Sequence, residues 1–550
     1  MKVIISCLNS KYVHASLSPW CLLSGVREFS KNNYDISVME STINGDIQDF
    51  ANKIINKKPH VVAFSTYIWN VTKALEICQI IKENHNCIIV LGGPEVAHRQ
   101  KDVLEKYNFV DFVLSGEGEW TFPEFLDNIN GDLSLATGLS YRENGEIIII
   151  PEKEYNDTPP SPFTDEFFEN LNGRISYIET SRGCPYRCAF CLSGRCSPLR
   201  FFDLEQVKKD IIILANSGTQ TVKFVDRTFN ANADRANEIL LFIKERYGKE
   251  IPQNVCFHFE IAGDILKEST LEILSEMPRG AVQLEIGMQS FNEDTLKTIN
   301  RKTNTKKLIE NIKKLLSFNN MHIHIDLIAG LTGEDLESIK NSFNIGYSLK
   351  AHMIQMGFLK LLYGADMREN QEKYPCAFSV EPPYEVTSTP WLSENEIIML
   401  KSCEDAVDRL YNSGRFLYTL DYLIDDLGLS PFDVFNDFGN AVDGNKMRLC
   451  DYAEKLYDFF MDKCDKEILR EKILCDLLSC SSSVQIPEIF KRKDVLYKQT
   501  KKYFIENVDK NIKIAILYNS NQVFAVNQTQ EKNLQNRYEG KFYNIDELKI

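Results

Sequence analysis

The chain has 550 residues, 43% hydrophobic and 26% charged, a composition that excludes disordered and fibrous classes. Its 63 Lys and Arg against 78 Asp and Glu give a net charge of −15, which argues against non-specific binding to nucleic acid or anionic membranes. Met1–Cys7 reads as a strand rather than a signal peptide, and no apolar run approaches the ~20 residues that span a bilayer, so a cytoplasmic protein is expected.

Short apolar runs open the chain: Val3–Ser6, Asp35–Met39, Val61–Ser65, Cys87–Leu91 and Asp111–Leu114, with helical patterns such as Val71–Glu83 and Thr121–Ile129 between them. Strands apolar throughout belong to a parallel sheet covered on both faces. Residues 1–135 therefore read as a doubly wound, Rossmann-like α/β domain that binds ligands beyond the strands' carboxyl ends. Those ends carry Tyr67, Ile68, Trp69, Gly93, Glu95 and the Ser115–Glu119 loop with Glu117, a candidate rim for a substrate or a cofactor. Residues 136–174, with Thr158-Pro159-Pro160-Ser161-Pro162, read as a hairpin and linker.

Across 175–380 the strand–helix alternation restarts, with strands expected at Ile175–Thr180, Thr221–Asp226, Val255–Ala262, Val282–Gly287, His322–Leu327 and Met353–Leu359. Six such units predict a partial barrel with its chemistry at the carboxyl-end mouth. Residues 381–550 read as a mainly helical domain, with helices at Ser393–Tyr411, Leu417–Asp426, Met447–Phe460 and Lys466–Leu478 and two late strands at Lys513–Tyr518 and Gln522–Val526.

Most of the fifteen cysteines sit singly in apolar segments. Cys184, Cys188 and Cys191 do not: they follow the first barrel strand with the spacing C-x3-C-x2-C, interleaved with Gly183, Pro185 and Arg187. Three clustered thiolates suit an iron–sulfur cluster, leaving one iron of a 4Fe-4S cube open to a small molecule. Zinc is the competing reading and needs a fourth ligand, for which Cys196 is the candidate.

This loop, with Phe190 before its last cysteine and six βα units behind it, resembles the radical S-adenosylmethionine superfamily. The resemblance implies that the open iron chelates S-adenosylmethionine, and that the reduced cluster splits it into methionine and a 5′-deoxyadenosyl radical. A flavodoxin or ferredoxin would then supply the electron. Glu260, Gln289, Arg301 and Asp326 resemble the set that holds S-adenosylmethionine in relatives of oxygen-independent coproporphyrinogen oxidase. Arg301 would pair with its carboxylate, Asp326 and Glu260 would accept from ribose or the amino group, and Gln289 would bridge. Asp226 would reach the cofactor or substrate, or cap a helix. The Gly330–Glu334 turn carries Thr332 where many relatives have Pro, which alters a turn and no ligand. No residue is singled out as a catalytic acid or base.

Gly92-Gly93-Pro94-Glu95 and Ser115–Glu119 resemble the cobalamin-binding domain that often precedes such barrels. The Asp-x-His-x-x-Gly motif is absent, so cobalamin stays open; Tyr67, Ile68 and Trp69 would cover a corrin face or pack against the barrel. The three-part architecture resembles queuine lyase, which yields 7-aminomethyl-7-deazaguanine from queuine. Glu385 and Trp391 would then offer a carboxylate and a stacking face to the deazaguanine. The alternatives are a cobalamin-dependent radical methyltransferase acting on a small molecule and a non-catalytic zinc or iron–sulfur module.

Overall fold

The computed structural model describes residues 1–194, 198–442, 447–480, 485–491 and 494–548. Two compact units result. The first holds Met1–Leu284, Lys297–Asn304 and Leu359–Thr387; the second holds Glu285–Leu296, Thr305–Phe358 and Ser388–Ile550.

A seven-stranded sheet opens the first unit. Its strands are β1 (Lys2–Asn9), β2 (Asp35–Thr42), β3 (Val61–Ser65), β4 (Ile88–Gly92), β5 (Phe112–Leu114), β6 (Leu139–Glu143) and β7 (Glu146–Ile149), in the order β2-β1-β3-β4-β5-β6-β7. The first five pair in parallel. The β6–β7 hairpin adds on antiparallel. Val61–Ser65 is buried at every position, as a strand covered on both faces must be. The outer strand β2 departs from the all-apolar expectation: Asp35, Ser37, Glu40, Ser41 and Thr42 break its run, and none of its residues is fully buried. An edge strand has only one neighbour to hide behind. Ile4, Leu8, Phe64, Leu91 and Val113 pack with Ile54, Ala74 and Ile81 of the covering helices. The helix expected at Thr121–Ile129 spans Gly118–Asn128, so the end of the Ser115–Glu119 loop is its first turn.

The barrel-type strands begin in the same unit. Ser176–Ile178 and Thr221–Phe224 pair in parallel, and Thr221–Phe224 pairs in parallel with Cys256–Ile261. Phe224, Phe229 and Phe259 fill the space beside them, with ring centroids 4.4 and 4.3 Å from Phe259. The fourth strand, Val282–Gln289, passes from the first unit into the second. There His322–Ala329 and Met353–Phe358 pair in parallel. Burial alternates along Val282–Gln289, so Glu285, Gly287 and Gln289 share one face.

The rest of the second unit is mainly helical, with a three-stranded antiparallel sheet of Ile512–Leu517, Gln522–Asn527 and Gly540–Asn544. The third of these strands was not expected from the sequence; Lys541 and the exposed Phe542 give it no clean alternation. A Ser393/Glu396 capping box starts the helix Glu394–Val407, which ends in a π-turn over Asp408–Asn412 rather than running on to Tyr411. The fully buried Asp476 accepts from the Tyr418 and Thr419 amides and pairs with Arg537 at 2.8 Å. Among the described residues, no helix is long and apolar enough to cross a membrane.

Candidate functional site

The cysteine loop is a closed loop on a short stem. Ser181 and Arg182 pair antiparallel with Phe201 and Arg200, so both ends of the segment between them are fixed together. Gly183 follows with φ +92°, a conformation that disfavours any side chain, and Cys184 comes next. Beyond it, Cys191 N donates to Cys188 O at 3.1 Å, Ala189 N to Ile299 O at 2.8 Å, and Met367 N to Ala189 O at 3.0 Å. Asn300 holds Arg187 O at 2.7 Å.

The Cys188 thiol is buried; Cys184 and Cys191 are partly open. Burial pushes the Cys188 thiol up, the Arg301 guanidinium opposes that, and the thiols of Cys191 and Cys184 lie close enough to push it up as well. Arg301 Nη1 stands 3.7 Å from Cys188 Sγ, and Cys184 Sγ lies 3.5 Å from Thr228 Oγ1. Three soft donors beside a cation, with Cys184 and Cys191 reaching solvent, suit a cluster that must meet an anionic small molecule. Phe190 is half-buried within the loop. Glu260 is half-buried, 4.0 Å from Arg227 Nη1. Cys196 lies outside the described residues.

Asp226 does not cap the following helix. The following helix takes its cap from Asn232. Asp226 is buried and accepts from Thr180 N at 3.0 Å, from Thr180 Oγ1 at 2.7 Å and from Ser181 Oγ. Burial raises its carboxyl to about 6 against the pull of those donors. It ties down the chain just ahead of the cysteine loop.

In the first domain, Gly93 has φ +103°, and a Cβ there would sit 2.5 Å from Thr66 O. Tyr67 and Trp69 stack with centroids 4.5 Å apart, and Trp69 is 47% exposed. An exposed aromatic face at the carboxyl ends of a doubly wound sheet fits the flat ring of a corrin. The Nδ1 of His14 bonds the Tyr177 hydroxyl at 2.6 Å.

Two acids expected at the rim are built into the scaffold instead. Glu95 is buried, paired with Arg99 at 2.6 Å and accepting from the Tyr384 hydroxyl. Burial raises its carboxyl, against Tyr384 and Arg99. Glu117 contacts Arg182 and lies 2.7 Å from Arg200. Its neighbour Glu119 is 2.8 Å from Arg182 and is held below the usual carboxylate range: burial pushes up, and Arg182 overrides it. Sequence reading missed the Glu117 and Glu119 pairs because their arginine partners lie more than sixty residues away in the chain; the Glu95–Arg99 pair is local, four residues apart. Glu385 is half-buried and bridges to Lys360, while Tyr384 next to it is wholly buried. Trp391, in the second unit, is 39% exposed.

The second unit holds the other expected residues. Gln289 ends its strand with φ +67°, and among the described residues its Oε1 is buried without a hydrogen-bond partner. Below it, the buried Glu334 accepts from Ser290 Oγ at 2.5 Å and from Ser338 Oγ at 3.2 Å. Asp326 is not at its strand's end; the strand continues to Ala329. Its Oδ1 lies 3.0 Å from His324 Nε2, and His324 Nδ1 is 3.9 Å from Glu285. Glu285 and His324 were not singled out from sequence. The signal was present: His324 and Asp326 are two apart on one strand and therefore share a face.

Comparison with known proteins bears on these sites together. Residues 10–126 match the B12 binding domain, 178–344 the Radical SAM superfamily, and 372–548 a family described as "Protein of unknown function (DUF4080)". The cobalamin-dependent radical SAM methyltransferase TokK of Streptomyces tokunonensis is 28% identical over 326 residues, 56% of this chain and 46% of that protein. The chain thus spans about half the length of this curated relative. Among solved structures, the cobalamin-dependent S-adenosylmethionine radical enzyme OxsB, with aqua-cobalamin and S-adenosylmethionine bound, superposes with a TM-score of 0.62. That match has 15% identity and covers 86% of this chain and 78% of that one. The radical S-adenosylmethionine methyltransferase TsrM from Kitasatospora setae gives 0.57 at 15% identity, over 68% and 78%. The chain carries a B12-binding domain followed by a radical SAM domain, in the fold of cobalamin-dependent radical SAM enzymes.

Proposed function

We propose that this chain is a cobalamin-dependent radical S-adenosylmethionine methyltransferase acting on a small molecule. The observation that carries the reading is the clamped C-x3-C-x2-C loop with Arg301 against Cys188, in a chain that also holds a B12-binding domain. Cys184, Cys188 and Cys191 would hold the 4Fe-4S cluster and Arg301 the carboxylate of S-adenosylmethionine. Gln289, Asp326 and Glu260 would take hydrogen bonds from its polar groups, with His324 orienting Asp326. Tyr67 and Trp69 would cover one corrin face. When bound, the cluster supplies the electron that splits S-adenosylmethionine and the corrin carries a methyl group. Arg301 offers a planar fork for a carboxylate. A reductant of the flavodoxin or ferredoxin kind, in a reducing cytoplasm, completes the system.

The queuine lyase reading loses its support. Relatives including TokK bear methyltransferase names, and Tyr384 beside Glu385 is buried on Glu95 rather than open to a base. The two chemistries leave different products. A methyltransferase drawing its methyl group from S-adenosylmethionine releases S-adenosylhomocysteine as well as 5′-deoxyadenosine; a lyase releases no S-adenosylhomocysteine. The test is anaerobic turnover of reconstituted protein with hydroxocobalamin, S-adenosylmethionine, reductant and a panel of small molecules. Both products are expected together, and 5′-deoxyadenosine alone would refute the methyl-transfer reading.

A further inference from the structure

We infer that Glu117, which comes from the B12-binding domain, is a positioning residue for the iron–sulfur cluster of the radical SAM domain. The inference rests on the proposed reading of Cys184, Cys188 and Cys191 as cluster ligands.

The stem of the cysteine loop carries an arginine on each strand, Arg182 and Arg200, and these two are direct strand partners. Like charges placed opposite each other on a two-residue stem repel, and that repulsion would open the loop at its base. Glu117 lies on both. Its Oε2 accepts from Arg182 Nη1 and, at 2.7 Å, from Arg200 Nη2, while its Oε1 takes Arg200 Nη1 at 3.0 Å. One carboxylate thus closes the stem by bridging its two cations.

The surroundings complete the charge set. Glu119 and Glu179 take the remaining Arg182 donors, at 2.8 Å to Glu119 and at 2.9 and 2.6 Å to Glu179. Arg200 also donates to Tyr155 O. The Phe202 ring lies 5.6 Å below each guanidinium, and Trp120 covers Arg200 at 5.8 Å. Burial works against the Arg182 charge, and Glu119 and Glu179 more than restore it. Such a network is a stiff mount: planar guanidinium forks, mostly buried, with both terminal nitrogens of each arginine held by acceptors.

Cys184 stands two residues past Arg182, with Gly183 between them as a left-handed turn. Any opening of the stem displaces that cysteine first. Among the described residues Glu117 bonds Arg182 and Arg200 and not the thiols of Cys184, Cys188 or Cys191, so its effect on the cluster runs through the two arginines.

The experiment compares full-length wild type, Glu117→Gln and Glu117→Asp, each reconstituted anaerobically with iron and sulfide. Iron release into a ferrous chelator is timed, and the reduced cluster is recorded by electron paramagnetic resonance. Glu117→Gln should release iron about tenfold faster and give a broadened or shifted signal. Glu117→Asp, which keeps the charge, should recover most of the wild-type rate. Circular dichroism checks that the variants fold. Release at the wild-type rate from folded Glu117→Gln overturns the inference. Should that variant not fold, Arg200→Lys is timed instead; it keeps a charge on the stem but loses the fork, and wild-type release from it is equally fatal. Wild type that takes up no iron at all overturns the cluster reading, and this inference falls with it.

Discussion

Acidic side chains beside the parallel strands of both units are used in opposite ways. In the first unit Glu95, Glu117 and Glu119 are each saturated by arginine, from Arg99, Arg182 and Arg200. In the second, Glu285 and Asp326 flank His324 on neighbouring strands, and Gln289 Oε1 has no partner among the described residues. An acid matched to buried cations is a fastener; an amide oxygen buried without a partner, as in Gln289, is available to a ligand. Residue type does not distinguish the two, but the partner does.

Four substitutions sharpen that contrast, from the largest effect downward. Cys188→Ala should abolish iron uptake and brown colour outright, read by iron assay after reconstitution; substantial retained iron would break the ligand assignment. Arg182→Met strands Glu119 and Glu179 without their cation. It should cost about 3–5 kcal/mol in denaturant unfolding, and a loss under about 1 kcal/mol would show the fasteners to be ornamental.

Glu334 acts by proton linkage. Burial raises its carboxyl from the usual 4.5 to about 7. Folding therefore favours its protonated form, so its contribution is fully present below about pH 4.5 and fades as pH rises through about 7. Glu334→Gln should remove about 3 kcal/mol of that pH dependence, measured as unfolding free energy across the window, and an unchanged slope would contradict it. Gln289→Asn should do the reverse of Arg182→Met. Stability stays put, because Oε1 has no hydrogen-bond partner among the described residues and Asn tolerates the positive φ, while S-adenosylmethionine binding weakens about tenfold by calorimetry. A fall in melting temperature with unchanged binding would place Gln289 among the fasteners.

The legible and illegible parts of the sequence divide along the same line. Cys184, Cys188 and Cys191 announce themselves because their spacing is local. The parallel sheet is legible because Val61–Ser65 and its neighbours are apolar without alternation. The third strand of the late sheet, Gly540–Asn544, is not: its burial is slight and its pattern mixed. Nor are the clamps on the loop stem, since Glu117 meets Arg200 across 83 residues and Asp226 meets Thr180 across 46. Asp226 was expected to end its strand, which stops two residues earlier at Phe224, and its bond to the Thr180 amide was not foreseen, because a sequence does not say which backbone amide passes beside a carboxylate. His324 lay in plain view two residues before Asp326, and only the fold brings Glu285 to its other side.

The central claim is that three cysteines on a clamped stem hold a four-iron cluster with a site open to S-adenosylmethionine. Electron paramagnetic resonance of anaerobically reconstituted, dithionite-reduced protein, recorded before and after adding S-adenosylmethionine, tests it most directly. The account predicts about four irons per chain and a reduced-cluster signal that shifts when S-adenosylmethionine is added. Zinc in place of iron, or a signal indifferent to S-adenosylmethionine, would contradict it.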